Sequence, residues 1–181
     1  MKCVLDTCVL FPTVMREALL GVAEAGAFTP LWSERILGEW ERAGARHGPE
    51  QGREAVQAIA ATRLRFPQAM VGPQPGLEAQ LHLPDENDIH VLATAIAGNA
   101  DCIITLNAAD FPRAALRAEG VERRDPDGLL WEFWSHDPEG VGAALDALRI
   151  RAEARDGEAR SLPAMLKRAR LSRLAKALRF G

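Results

Sequence analysis

Residues 83–112 read LPDENDIHVLATAIAGNADCIITLNAADFP. Two kinds of patterning follow each other in this stretch. Ile89, Leu92, Ala93 and Ile96 recur at helical spacing, and Gly98-Asn99 closes that run. Residues 102–104 are wholly apolar and end at Thr105, the mark of a strand buried on both faces. Residues 107–111 form a polar turn before another helix. A helix feeding a doubly buried strand is half of a βαβ unit.

The same alternation runs through the rest of the chain. Residues 2–5 (KCVL) are an apolar run ending at Asp6, and residues 9–11 then meet Pro12, which reads as a buried strand followed by a helix start. Residues 13–25 keep helical spacing until Gly26, and residues 27–32 form a second strand. Ser33 is placed to cap a helix running to Arg46. After Gly48-Pro49, residues 50–65 make another helix. Residues 66–83, rich in proline and glycine, read as mostly loop with a short strand at Met70-Val71. Residues 120–122 are a last edge strand. Strands alternating with helices of about 10 to 15 residues predict an α/β fold, a three-layer α/β/α with a short parallel sheet of about four or five strands. C-terminal helices follow from Asp137, broken near Asp156-Gly157 and restarted at Ser161-Leu162-Pro163. The expected organisation is an α/β domain over 1–136 and a helical basic extension over 137–181.

The bulk numbers agree. With 181 residues and 48% hydrophobic content the chain builds one sizeable core, and 26% charged residues are ordinary for a globular protein. No apolar run approaches the roughly 20 residues of a membrane helix, and the acid at position 6 interrupts any secretory-type apolar core. A cytoplasmic protein is expected. Cys3, Cys8 and Cys102 have no metal-ligand spacing and read as small buried hydrophobes in a reducing compartment. The net charge of −3 hides an asymmetry: residues 1–148 carry −10 and residues 149–181 carry +7. An acidic body approaches a polyanion through bound cations or through its basic tail.

Four acids stand where chemistry is expected. Asp6 follows a strand, and in open parallel sheets ligands bind at the carboxyl ends of strands; it also precedes a helix, where an aspartate caps. Glu39 lies on the helix ERILGEWERA beside the apolar face of Ile36, Leu37 and Trp40, as a metal ligand or a snorkelling surface group. Asp85 and Asp88 open the helix of the quoted stretch. For Asp85 complementing the macrodipole suffices, whereas Asp88 sits close to the buried face. Asp110 follows strand CIIT in a turn, where it is a cap, an Asx-turn residue or a ligand.

The opening VLDTCVL, the helix ILGEWERA, the segment DIHVLATAIAGNADCIITLNAADF and their order resemble the PIN-domain nucleases, a group that includes VapC-type toxins of toxin–antitoxin pairs. The resemblance covers about residues 2–135 and points to a subfamily with a helical C-terminal extension. It implies a metal site built from Asp6, Glu39, Asp88 and Asp110, supported by Thr7, Thr105 and Asn107. In many PIN domains the fourth acid stands two residues after the threonine, where this chain has Asn107. Either Asp110 supplies that carboxylate or Asn107 binds the metal or its water more weakly. Implied with the site are Mg²⁺ or Mn²⁺, an RNA substrate, 5′-phosphate and 3′-hydroxyl products, a cognate antitoxin encoded alongside and a possible homodimer.

The ligand chemistry is consistent with that. Carboxylates are hard donors suited to Mg²⁺ or Mn²⁺, one ion or two, and clustered carboxylates need a cation to stay ionised. His90 reads as a packing or surface histidine. Trp131, Phe133 and Trp134 either stack bases or dock the C-terminal helices. The tail MLKRARLSRLAKALRF forms an amphipathic basic helix whose Lys167, Arg168, Arg170, Arg173 and Lys176 contact RNA, an antitoxin or lipid, or remain solvated. An endoribonuclease toxin is the reading favoured here. A housekeeping RNA-processing nuclease and a non-catalytic binding module are the competitors.

Overall fold

In the computed structural model, which describes residues 1–179, five strands pair in parallel. They are β1 (Lys2–Leu5), β2 (Thr29–Ser33), β3 (Met70–Val71), β4 (Cys102–Ile104) and β5 (Glu122–Arg124), in the order β3-β2-β1-β4-β5. The chain lays down β1, β2 and β3 in one direction, then returns to set β4 on the other side of β1. Cys3, Val4 and Leu5 are all buried, as are Cys102, Ile103 and Ile104. Neighbouring side chains on a strand point to opposite faces, so both faces of the central strands are covered. This is the three-layer α/β/α arrangement read from the unbroken apolar runs.

The described chain falls into two compact units. The first comprises residues 1–11 and 29–124. It holds the sheet with α1 (Thr7–Leu10), α3 (Glu34–Arg46), α4 (Pro49–Arg65), α5 (Pro75–Glu78), α6 (Ile89–Ala97) and α7 (Arg113–Ala118). The second takes residues 12–28 and 125 onward. Its helices are α2 (Thr13–Glu24), α8 (Pro126–His136), α9 (Pro138–Asp156), α10 (Leu162–Arg168) and α11 (Ser172–Ala177).

In the first unit Ser33 caps α3 as expected, its Oγ accepting from the Ile36 amide at 3.4 Å. α3 buries Ile36, Leu37, Trp40, Ala43 and Gly44. At Gly44 the helices α3 and α4 approach so closely that a Cβ would lie 2.7 Å from the Ala55 Cβ and 2.8 Å from the Gln51 oxygen. Only glycine fits there, and the contact fixes the helix that carries Glu39.

Three local differences from the sequence reading have simple causes. The helix expected from Asp85 begins as a 3₁₀ turn over Glu86–Asp88 and becomes α-helical only at Ile89. The edge strand lies at Glu122–Arg124 rather than 120–122, because Gly120, at φ +72°, completes the turn after α7. The single basic helix expected over the tail is two short helices. Arg170 adopts φ +62°, which ends α10 and lets Leu171 bury fully between Leu166 and Leu174. The amide groups at the start of α11 are then satisfied by Asp127, which accepts from the Arg173 and Leu174 nitrogens at 2.8 and 3.0 Å. Phe180, the last residue of the quoted tail, lies with Gly181 outside the described residues.

The aromatic cluster is structural within the second unit. Phe133 stacks on Phe28 with ring centroids 5.6 Å apart, and the Arg173 guanidinium lies 3.5 Å from the Trp131 ring centre. The break near Gly157 is a left-handed cap at φ +72°, as the Asp156-Gly157 signal predicts. Among the described residues no helix is long and apolar enough to cross a membrane.

Candidate metal centre

Registering Leu5 of β1 against Ile104 of β4 brings the residues that follow, Asp6 and Thr105, side by side. This is the point where the strand order reverses, the place where parallel sheets leave a crevice at their carboxyl ends. Asp6 is 6% exposed and occupies the cap position of α1, yet its side chain makes no capping bond. Instead it accepts from the Thr105 hydroxyl at 2.6 Å and from the Cys8 thiol at 3.0 Å. The capping alternative for Asp6 therefore fails on geometry.

The network continues outward from Thr105. Its Oγ1 accepts from the Asn107 amide nitrogen at 2.9 Å, which fixes the start of the turn. The Asn107 side-chain amide then donates to Asp110, and reaches Asp88 at 3.4 Å. Asn107 is thus neither a spectator nor a replacement acid. It bridges the two carboxylates that flank it.

Asp85, Asp88 and Asp110 each present an oxygen within 4.8 Å of the others, a spacing that suits one cation. Asp85 also caps the 3₁₀ turn, accepting from the Asn87 backbone and side-chain nitrogens at 2.9 Å. Burial, and then the charges of Asp6, Asp85, Asp110 and Glu39, push the Asp88 carboxyl up to about 6. Asp88 is therefore where the negative charge of the whole cluster is felt.

Glu39 joins from α3. The Thr7 hydroxyl lies 3.2 Å from Glu39 Oε2 and 3.1 Å from the Ile36 carbonyl, so its single proton serves one of them at a time. The His90 Nε2 lies 2.9 Å from Glu39 Oε1 but out of line for a hydrogen bond, a contact of charge and proximity. Arg35 Nε is 3.7 Å away. Burial pushes the Glu39 carboxyl up, but His90, Thr7 and Arg35 together outweigh it and hold the group below the ordinary glutamate range. Glu39 is accordingly ionised, as a cation ligand must be.

The chain belongs to the PIN domain family. The family's model, described as PIN domain, matches residues 2–109. No curated protein and no solved structure matches the chain.

PIN domains are generally metal-dependent nucleases, and the oxygen-only set at Asp85, Asp88 and Asp110 fits a divalent cation. Asp6, Glu39, Asp88, Asp110, Thr7, Thr105 and Asn107 all fall in the first unit of this PIN domain protein. The geometry joins them through hydrogen bonds or charge. Asp6 and Glu39 stand outside the three-oxygen group and act on Asp88 through their charge. Lys167, Arg168, Arg170, Arg173 and Lys176 are exposed in the second unit, with Arg173 engaged by Trp131.

Three residues of the site escaped the sequence reading. Asp85 was assigned to the macrodipole alone, although its spacing from Asp88 is that of one helical turn. His90 was read as packing, although its position two after Asp88 turns it toward Glu39. Cys8 was read as a buried hydrophobe. Burial, and then the Asp6 charge, push its thiol up to about 12, so it is a neutral donor to Asp6 rather than a thiolate ligand.

Proposed function

We propose that this protein is a Mg²⁺- or Mn²⁺-dependent endoribonuclease, the toxin of a toxin–antitoxin pair. The observation that carries the nuclease reading is the position of Asp88, whose carboxyl is pushed up to about 6 amid four other acids and shares a 4.8 Å group with Asp85 and Asp110. Such a concentration of carboxylates is stable only with a cation to neutralise it. A bound Mg²⁺ or Mn²⁺ supplies positive charge to a phosphodiester and lowers the pKa of water from about 16 towards neutrality.

The protein's own residues do the positioning. Asp85, Asp88 and Asp110 hold the cation. Thr105 and Cys8 lock the orientation of Asp6, and Asn107 locks Asp110. Glu39, kept ionised by His90 and Arg35, completes the charge around the site. No serine or cysteine nucleophile is required, and Cys8, held neutral, is not one. The products expected of this chemistry carry a 5′-phosphate and a 3′-hydroxyl.

The toxin role rests on the resemblance of residues 83–112 to VapC-type proteins and on the exposed basic side chains of α10 and α11, which suit an acidic antitoxin segment. Expression of the gene without its neighbour tests it: arrested growth, relieved by co-expressing the adjacent reading frame, is expected. Unimpaired growth with full nuclease activity in the extract would instead select a housekeeping RNA-processing enzyme.

A further inference from the structure

A pocket of about 190 Å³ opens at the carboxyl ends of β2 and β3, lined among others by Ser33, Arg35, Gln74, Glu78, His90 and Thr94. Ser33 ends β2 and the pocket residue Gly72 follows β3, so the pocket lies on the same edge of the sheet as Asp6 and Thr105. Adjacent strands are about 5 Å apart, so one strand spacing separates its floor from β1. Two of its lining residues touch the acid site directly: His90 and Arg35 lie 2.9 and 3.7 Å from Glu39.

His90 is the observation that asks for a ligand. It is 2% exposed, and neither ring nitrogen has a hydrogen-bond partner. Nε2 at least lies against Glu39, whereas Nδ1 has no such neighbour among the described contacts. Buried polar atoms in folded proteins are nearly always paired, so an unpaired ring nitrogen lining a pocket marks a place for a polar guest.

Charge and size narrow the guest. Arg35 is committed to Glu39, to Glu78 at 3.4 Å and to the Asn87 carbonyl at 3.3 Å. Glu34 is held in a two-pronged pair with Arg63. The lining offers carboxylate and amide oxygens but no uncommitted cation, so a phosphate is disfavoured and a neutral heterocycle is suited. A cavity of about 150 Å³ accepts one benzene ring, so about 190 Å³ holds a single six-membered ring. The Glu78 carboxylate suits an exocyclic amine, the pairing that acidic side chains make with cytosine N4.

We infer that this pocket seats a pyrimidine base, cytosine before uracil, of the nucleotide adjoining the cleaved phosphodiester. The inference rests on the nuclease reading of the acid site for the word "cleaved". Unstacked bases of single-stranded RNA are recognised in this way, by pockets that hydrogen-bond their edges.

Two measurements on the full-length protein test it. In the first, mixed-sequence single-stranded RNA is digested with Mn²⁺ and the cut sites are mapped. A pyrimidine enriched at least fivefold at one fixed position beside the cut is expected, and Glu78→Gln should lower the ratio of cytosine to uracil there. In the second, cytidine, uridine and adenosine are titrated without metal while the His90 ring resonances are followed by NMR. Cytidine should shift them, uridine less and adenosine not at all. RNA left uncut while cytidine still shifts His90 would sink the nuclease reading and leave the base pocket standing. Cleavage without base preference, together with His90 unmoved by millimolar cytidine, would overturn the pocket and leave the nuclease reading intact. A preference unchanged in Glu78→Gln would overturn the role given to Glu78.

Discussion

The Thr105 hydroxyl donates to the Asp6 carboxylate across 2.6 Å, tying the end of β4 to the end of β1 at the point where the strand order reverses. Both residues are buried, Thr105 at 2% and Asp6 at 6% exposure. A buried carboxylate that loses its donor bears the desolvation cost alone, on the order of 1 to 3 kcal/mol. Thr105→Val is therefore expected to lower unfolding free energy by that order in denaturant titrations, whereas Thr105→Ser should recover most of it. Equal stability of Thr105→Val and wild type would show that the bond does not hold Asp6.

Asp88 links pH to both stability and cation binding. Its folded pKa, pushed up to about 6, lies above the unfolded aspartate value, so the folded protein binds this proton more tightly. The associated stability is full below about pH 4 and is lost as pH rises through about 6 in the metal-free protein. Asp88→Asn should accordingly melt above wild type at pH 7.5, with the difference shrinking towards zero by pH 4.5. Melting curves that keep the same offset at both values would argue against a raised Asp88.

The same proton competes with a cation. Between pH 7.5 and pH 5 the ionised fraction of a group with pKa about 6 falls about tenfold, so Mn²⁺ affinity measured by calorimetry should weaken by about that factor. Affinity that does not change over this range would place the cation away from Asp88.

Asn107 and Asp110 can be separated experimentally. Asp110 contributes an oxygen to the three-acid group and Asn107 donates to it, so Asp110→Asn should weaken Mn²⁺ binding at least about tenfold and Asn107→Ala considerably less. Asn107→Asp, which sets a further carboxylate between Asp88 and Asp110, should destabilise the metal-free protein and be rescued by Mn²⁺. The reverse ranking of the first two variants would make Asn107 the ligand.

Gly44 tests how the helix bearing Glu39 is held. Its Cβ would press on Ala55 and the Gln51 carbonyl at under 3 Å, and overpacking of this kind typically costs about 1 to 3 kcal/mol. Gly44→Ala should lower the melting temperature by several degrees. An unchanged melting temperature would mean that α3 and α4 separate without cost.

The framework was legible where local chemistry decides it. The unbroken apolar runs at 2–5 and 102–104 named the two central strands, Ser33 named the start of α3, and the residues after those strands named Asp6 and Thr105. The site was legible only in outline. That Asp85 belongs with Asp88 and Asp110 depends on where the 107–110 turn folds back, which no local pattern encodes. The pairing of His90 with Glu39 joins two helices more than forty residues apart, and the service of Cys8 to Asp6 depends on the bend into α1. In the tail, helical spacing concealed a break, because the burial of Leu171 outweighs the continuity of an amphipathic helix.

The most direct measurement is the cleavage of single-stranded RNA by purified wild type, Asp88→Asn and Asp6→Asn, each with and without Mg²⁺ or Mn²⁺. Expected is metal-dependent cutting by the wild type that leaves 5′-phosphates, is abolished by chelator and falls at least about a hundredfold in both variants. Cleavage by Asp88→Asn and Asp6→Asn as fast as wild type with metal present would contradict a nuclease centre built on these acids.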